Sequence, residues 1–209
     1  RQRQMCIRDR YRALQNLLQE QKTLNSWEDT LMNLPKDKHV HIFDFDETLC
    51  KTNAEIKIVD HDQGLTMLMH PTDYPDWRNE GWVEKYPDRY EMDFSNFQGY
   101  PMYGTQIKGT TTLLKVLLTS EEDLCVLVTG RDELSGPRAW LLNNGIDVDK
   151  MILMCSGDPN KRPCYESVIN TLQPKQVTIY EDTELYIEQC TEICKKYDVP
   201  FTYKLIDER

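Results

Sequence analysis

Apolar residues fall into short dense runs parted by charged turns, and the runs change period along the chain. Between residues 11 and 34, Leu14, Leu17, Leu18, Leu24 and Leu31 recur at loosely helical spacing. That spacing predicts a helix closed by Pro35 and the charged turn Lys36-Asp37-Lys38. His39-Val-His-Ile-Phe-Asp-Phe-Asp follows, a β-prone run that ends in carboxylates, as a buried strand delivering acidic groups at its C-terminal end would. Downstream, the pattern predicts helices over 110–119, 137–144, 163–172 and 184–197. They alternate with strands over 124–129, 151–154, 176–180 and 201–206. Gly145 stands where a helix needs a left-handed C-terminal cap. This alternation implies an α/β fold: a mostly parallel sheet with helices on both faces, binding ligands beyond the carboxyl ends of its strands.

Residues 51–109 interrupt the alternation. Their periodicity is weak, and Tyr74, Trp77, Trp82, Tyr86, Tyr90, Phe94, Phe97, Tyr100 and Tyr103 lie among turn formers. An insertion with a small aromatic core is expected, and Trp77, Trp82 and Tyr86 are candidates for stacking on a nucleobase. The organisation read from the chain is then a leader over 1–12, an N-terminal helix within 13–38, and a core over 39–209 carrying the insertion 51–109. The opening RQRQMCIRDR resembles a translated adapter remnant, so residues 1–12 are read as non-native and set aside.

With 209 residues, 39% hydrophobic and 29% charged, the chain is long enough for one α/β domain and ordinary for a globular protein. It has neither an apolar run long enough to span a membrane nor a secretory signal, so no membrane partner and a cytoplasmic location are expected. Net charge is −10; the five arginines and Asp9 of residues 1–12 contribute +4 and leave −14 for the rest. Such a balance argues against extended nucleic-acid binding but allows a small phosphorylated substrate, a nucleotide or a nucleic-acid end. The seven cysteines form no C-x-x-C pair, and no disulfide or thiolate metal role is expected.

Chemistry concentrates at the predicted strand ends. Asp44 and Asp46 leave one strand end a single residue apart, an arrangement that a cation between them relieves, and magnesium suits oxygen ligands. Thr129-Gly130-Arg131 ends a second strand with a hydroxyl and free amides suited to phosphate oxygens. Arg131 adds charge near a substrate, or else pairs with an acidic neighbour such as Asp132. Glu181-Asp182 ends another strand with carboxylates. Lys161, 21 residues before Asp182, opens a helix; Lys175 competes for its role but precedes a strand instead of following one.

The motif Asp44-Phe-Asp46-Glu-Thr48 resembles the D-x-D-x-[TV] signature of haloacid dehalogenase (HAD) superfamily phosphatases. Val-Thr-Gly-Arg, Lys161 and Ile-Tyr-Glu-Asp resemble their later motifs. More narrowly, residues 39 to 190 are similar to the HAD domain of the Swiss Army Knife RNA-repair proteins, departing from it at Thr183 and Tyr186. The resemblance implies an HAD-like Rossmannoid fold whose insertion is a cap. It implies a Mg2+-dependent phosphomonoester hydrolase with Asp44 as nucleophile and Asp46 as general acid and base. Thr129 and Lys161 are then catalytic, and Thr48, Gly130 and Arg131 bind substrate. Asp44, Asp46 (through its carbonyl) and Asp182 hold the metal, with Glu181 as a helper. A catalytically silent binding module of the same fold, and a phosphotransferase with a non-water acceptor, are the alternatives. Oligomeric state is not legible.

Overall fold

The computed structural model describes residues 31–74, 77, 80–86, 88–97, 104–157 and 160–207. The expected leader over 1–12 and most of the N-terminal helix lie outside them. Residues 31 and 32 are helical and 35–38 are not, consistent with Pro35 having no amide to continue a helix.

From Pro35 onward the chain forms one compact unit. After β1 (His39–Phe43), the inserted segment carries β2 (Cys50–Thr52), β3 (Ile56–Asp60), β4 (Leu65–Met69), β5 (Tyr90–Asp93) and β6 (Gly104–Gln106). Then follow α1 (Lys108–Leu117), β7 (Asp123–Thr129), α2 (Ser135–Asn143), β8 (Met151–Cys155) and α3 (Arg162–Leu172). The chain closes with β9 (Gln176–Glu181), α4 (Glu184–Lys196) and β10 (Phe201–Leu205). Each core strand and helix lies within two or three residues of its expected place.

The central sheet has the order β10-β9-β1-β7-β8, and every described pairing in it is parallel. β1 is buried along all but its first residue, as a strand covered on both faces requires. From β1 the chain builds outward through β7 to β8, then crosses to the other side for β9 and β10. The reversal of direction lies between β1 and β9, the topological switch point at which parallel sheets open a crevice. The two strand ends richest in carboxylates are therefore neighbours.

The inserted segment holds strands that its weak periodicity concealed. β2 and β6 form a short antiparallel stalk, and β4-β3-β5 a separate antiparallel sheet. At the stalk the chains run so close that a Cβ on Gly104 would sit 2.3 Å from Cys50 Sγ. β3 alternates buried and half-buried positions, placing Ile56 and Ile58 against Tyr74, Trp77, Tyr90, Phe94 and Phe97. Asp60, at its end, takes both Nε and Nη2 of Arg89 and the amides of Asp62 and Gln63, fixing the turn before Gly64. Among the described residues no helix is long and apolar enough to cross a membrane.

Candidate active site

Beyond Phe43 the chain turns sharply. The amides of Leu49 and Cys50 both reach back to the Phe45 carbonyl at 3.0 Å, and Glu47 takes left-handed backbone at φ 55°. The Asp44 amide still donates to the Tyr180 carbonyl at 3.0 Å, so Asp44 keeps the register of β1 against β9. Its carboxylate therefore faces those of Glu181 and Asp182, and one oxygen from each of the three lies within 4.8 Å of the others.

Lys161 enters this cluster from the start of α3. Its Nζ lies 2.5 Å from Asp44 Oδ1 and 2.9 Å from Glu181 Oε2, its side chain 2% exposed. Gln189 accepts the Lys161 amide at 2.9 Å, and the Tyr186 ring lies 4.1 Å from Nζ, so the ammonium is fixed at both ends. Lys175 instead pairs with Glu122 at the surface, 3.5 Å away.

Asp46 points elsewhere. Arg131 grips it with Nε at 2.9 Å and Nη2 at 2.7 Å, a two-pronged contact only a guanidinium makes. Arg131 Nη1 donates to the Phe97 carbonyl at 2.6 Å, tying the inserted segment to the sheet. The arginine thus pairs with Asp46, the carboxylate of the first motif.

A cavity of about 160 Å³ lies over these groups. Asp44, Asp46, Gly130, Arg131, Lys161 and Asp182 form its floor, and Ile56, Pro71, Tyr74, Phe94 and Phe97 contribute an apolar wall from the insertion. Thr48 and Thr129 are fully buried and do not reach it. The Thr129 hydroxyl accepts the Arg131 amide at 3.3 Å, and the Thr48 hydroxyl has no partner among the described residues. The aromatics singled out for stacking also lie off the cavity. Trp77 packs edge-on against Tyr90, and Trp82 stacks on Tyr86. Tyr74, Phe94 and Phe97 take the wall instead, and no periodic pattern in the insertion marked them out. Glu181, expected as a helper beside Asp182, ends β9 and is the second partner of Lys161.

Burial pushes the Asp44 carboxyl up to about 7 against the opposing pull of Lys161, and it pushes Glu181 and Asp182 upward as well. Lys161 is held charged by Asp44 and Glu181 in spite of its burial. Once all four are ionised, the carboxylates outnumber the two basic side chains by two charges. All donors in the cluster are carboxylate oxygens, so a hard divalent cation such as Mg2+ fits in charge and ligand type. Asp44, Glu181 and Asp182 are the carboxylates that could hold it, with Glu181 already engaged by Lys161.

These shifts give an unusual pH dependence. Above about pH 4 an unfolded carboxyl releases its proton, whereas folded Asp44 keeps one until about pH 7. Metal-free protein should therefore lose stability as pH rises through that window, since the folded state binds more protons there. Melting in EDTA at pH 5 and pH 8 checks this, with the lower midpoint expected at pH 8. Magnesium should raise the midpoint more at pH 8, where it does not compete with a proton. A midpoint in EDTA that rises between those values would contradict the described cluster.

No family model matches the chain, and neither does any curated protein. Among solved structures it is similar to the Legionella pneumophila effector Ceg4, crystallised with an N-terminal TEV protease cleavage sequence. Identity is 14% and the TM-score 0.47, over 84% of this chain and 90% of that one. A likeness this low transfers neither fold detail nor activity.

Proposed function

We propose that this chain is an HAD-like, magnesium-dependent phosphomonoester hydrolase acting through a phosphoaspartyl intermediate on Asp44. The observation that carries the reading is the Asp44–Lys161–Glu181 constellation beside Asp182, at the switch point of a parallel sheet and under a cavity. A carboxylate held by a buried ammonium is a fixed nucleophile, and the same ammonium offsets the charge of an arriving phosphoryl group. The chemistry a bound magnesium ion supplies is neutralisation and alignment of phosphoryl oxygens.

An Asp44 oxygen attacks phosphorus as the bond to the leaving oxygen breaks, and that oxygen takes a proton from Asp46. Asp46 then accepts a proton from water, whose oxygen attacks the phosphoaspartate, freeing phosphate and Asp44. Arg131 holds Asp46 by both oxygens in the resting site, so it must yield one when substrate binds. Gly130 follows Thr129 at the floor, and its amide is suited to receive a phosphoryl oxygen. The substrate class that suits an acidic surface and a small cavity is a phosphorylated small molecule, a nucleotide or a nucleic-acid end.

Phosphate release should be measured from p-nitrophenyl phosphate, nucleotides and 3′- or 5′-phosphorylated oligonucleotides, with magnesium and with EDTA. Turnover is expected with magnesium alone; no turnover from any substrate, with no magnesium binding in calorimetry, would favour the silent binding module. Arg131→Lys should lower kcat/KM by about 10- to 100-fold, because lysine cannot reproduce the two-pronged hold on Asp46. The loss should be larger for an alkyl phosphate, whose leaving group needs the Asp46 proton, than for p-nitrophenyl phosphate. Equal losses on both would remove Asp46 positioning from the role of Arg131.

A further inference from the structure

At the opposite end of the central sheet, a second cluster has donors of another kind. His39 and His41 lie two residues apart on β1 and so share a face, and Asp123 of β7 is in direct register with His39. His39 Nδ1 and His41 Nε2 both turn to Asp123 Oδ1, at 3.7 and 3.0 Å. One donor atom from each residue lies within 4.8 Å of the other two. We propose that His39, His41 and Asp123 form a second metal site, for a zinc-class divalent transition ion.

The far nitrogens strengthen the case. His39 Nε2 meets the Thr178 hydroxyl at 2.8 Å, and His41 Nδ1 meets the Tyr180 hydroxyl at 3.2 Å, both from β9. A hydroxyl on each remote nitrogen fixes ring orientation and tautomer, the outer support that metal-binding imidazoles receive. A simple buried ion pair needs only one histidine on Asp123; here a second imidazole is turned to the same oxygen and held from behind. Ligands about 2.0–2.1 Å from a tetrahedral zinc lie roughly 3.4 Å apart, so separations of 3.0 and 3.7 Å require little movement. His41 is buried, but the His39 and Asp123 side chains are 23% and 19% exposed, which leaves a route for an ion and room for water as a further ligand.

Two imidazoles with one carboxylate favour zinc, cobalt or nickel over magnesium, which prefers oxygen. Five residues of strand, roughly 16 Å, separate His39 from Asp44, so the site is distinct from the acidic cluster and does not depend on the phosphatase reading. An ion there would clamp β1 to β7, with β9 held through Thr178 and Tyr180.

The test uses the full chain carrying Asp182→Asn, which weakens zinc binding at the acidic cluster. Calorimetric titration with zinc chloride should show one ion per chain that excess magnesium does not displace. Cobalt should give the visible bands of a four- or five-coordinate site without a thiolate charge-transfer band. Thr178→Val should weaken zinc by about 10-fold, and His39→Ala by more. His39 is partly exposed, so this variant should fold, and an unchanged metal-free melting midpoint verifies that. Absence of zinc binding in the Asp182→Asn chain, or zinc affinity left unchanged by His39→Ala and by Asp123→Asn, would overturn the proposal.

Discussion

Asp44→Asn is expected to reduce phosphate release from p-nitrophenyl phosphate by about 10⁴-fold or more while the chain stays folded. Asparagine has the shape of aspartate but lacks the charge, so it neither attacks phosphorus nor draws a cation. Lys161 keeps Glu181 as a partner, 2.9 Å away, and is not stranded by the change. Since burial already pushes Asp44 toward protonation, removing its charge should raise the melting midpoint of metal-free protein at pH 8. The variant should also lose most of the stabilisation that magnesium gives the wild type. Activity within tenfold of wild type would exclude Asp44 as the nucleophile.

Lys161→Met should have the largest effect on stability. It removes the ammonium between Asp44 and Glu181 and leaves their carboxylates buried with no positive partner. Breaking a buried pair from one side costs about 3–5 kcal/mol. For a chain of this size that corresponds to a fall of about 10 °C or more in melting midpoint in EDTA. Magnesium should narrow the gap, because a cation offsets the same charges, whereas turnover should stay lost. A metal-free midpoint within about 2 °C of wild type would show that Lys161 does not hold the cluster together. Lysine's compact charge reaches both carboxylates from the start of α3, and arginine's larger planar head should not restore activity.

The core elements were legible because parallel strands buried on both faces read as continuous apolar runs, and each ends at a polar switch. Val-Leu-Val-Thr-Gly-Arg and Val-Thr-Ile-Tyr-Glu-Asp carry that signal plainly. Aspartates one residue apart at the end of β1 marked the site for the same reason. The inserted strands were harder. β3 does alternate, but it spans five residues, and the exposed Leu65, Met67 and Leu68 of β4 blur the period on its partner. Side-chain direction was beyond reach as well. Nothing in the order of residues places Arg131 on Asp46 or buries the Thr48 hydroxyl, since both depend on how the turn after β1 packs. His39 and His41 stood in an apparently plain strand, and only the register with Asp123 and Thr178 turned them into a cluster.

The most direct measurement of the central claim is a rapid-quench reaction of Asp46→Asn with p-nitrophenyl phosphate and magnesium. Nitrophenol leaves without a proton from residue 46, whereas hydrolysis of the phosphoaspartate needs that residue as a base. A burst of about one nitrophenol per chain is expected, then a stall, with the phosphoryl group on the peptide containing Asp44. Steady turnover without a burst, or a phosphoryl group on another residue, would contradict that claim.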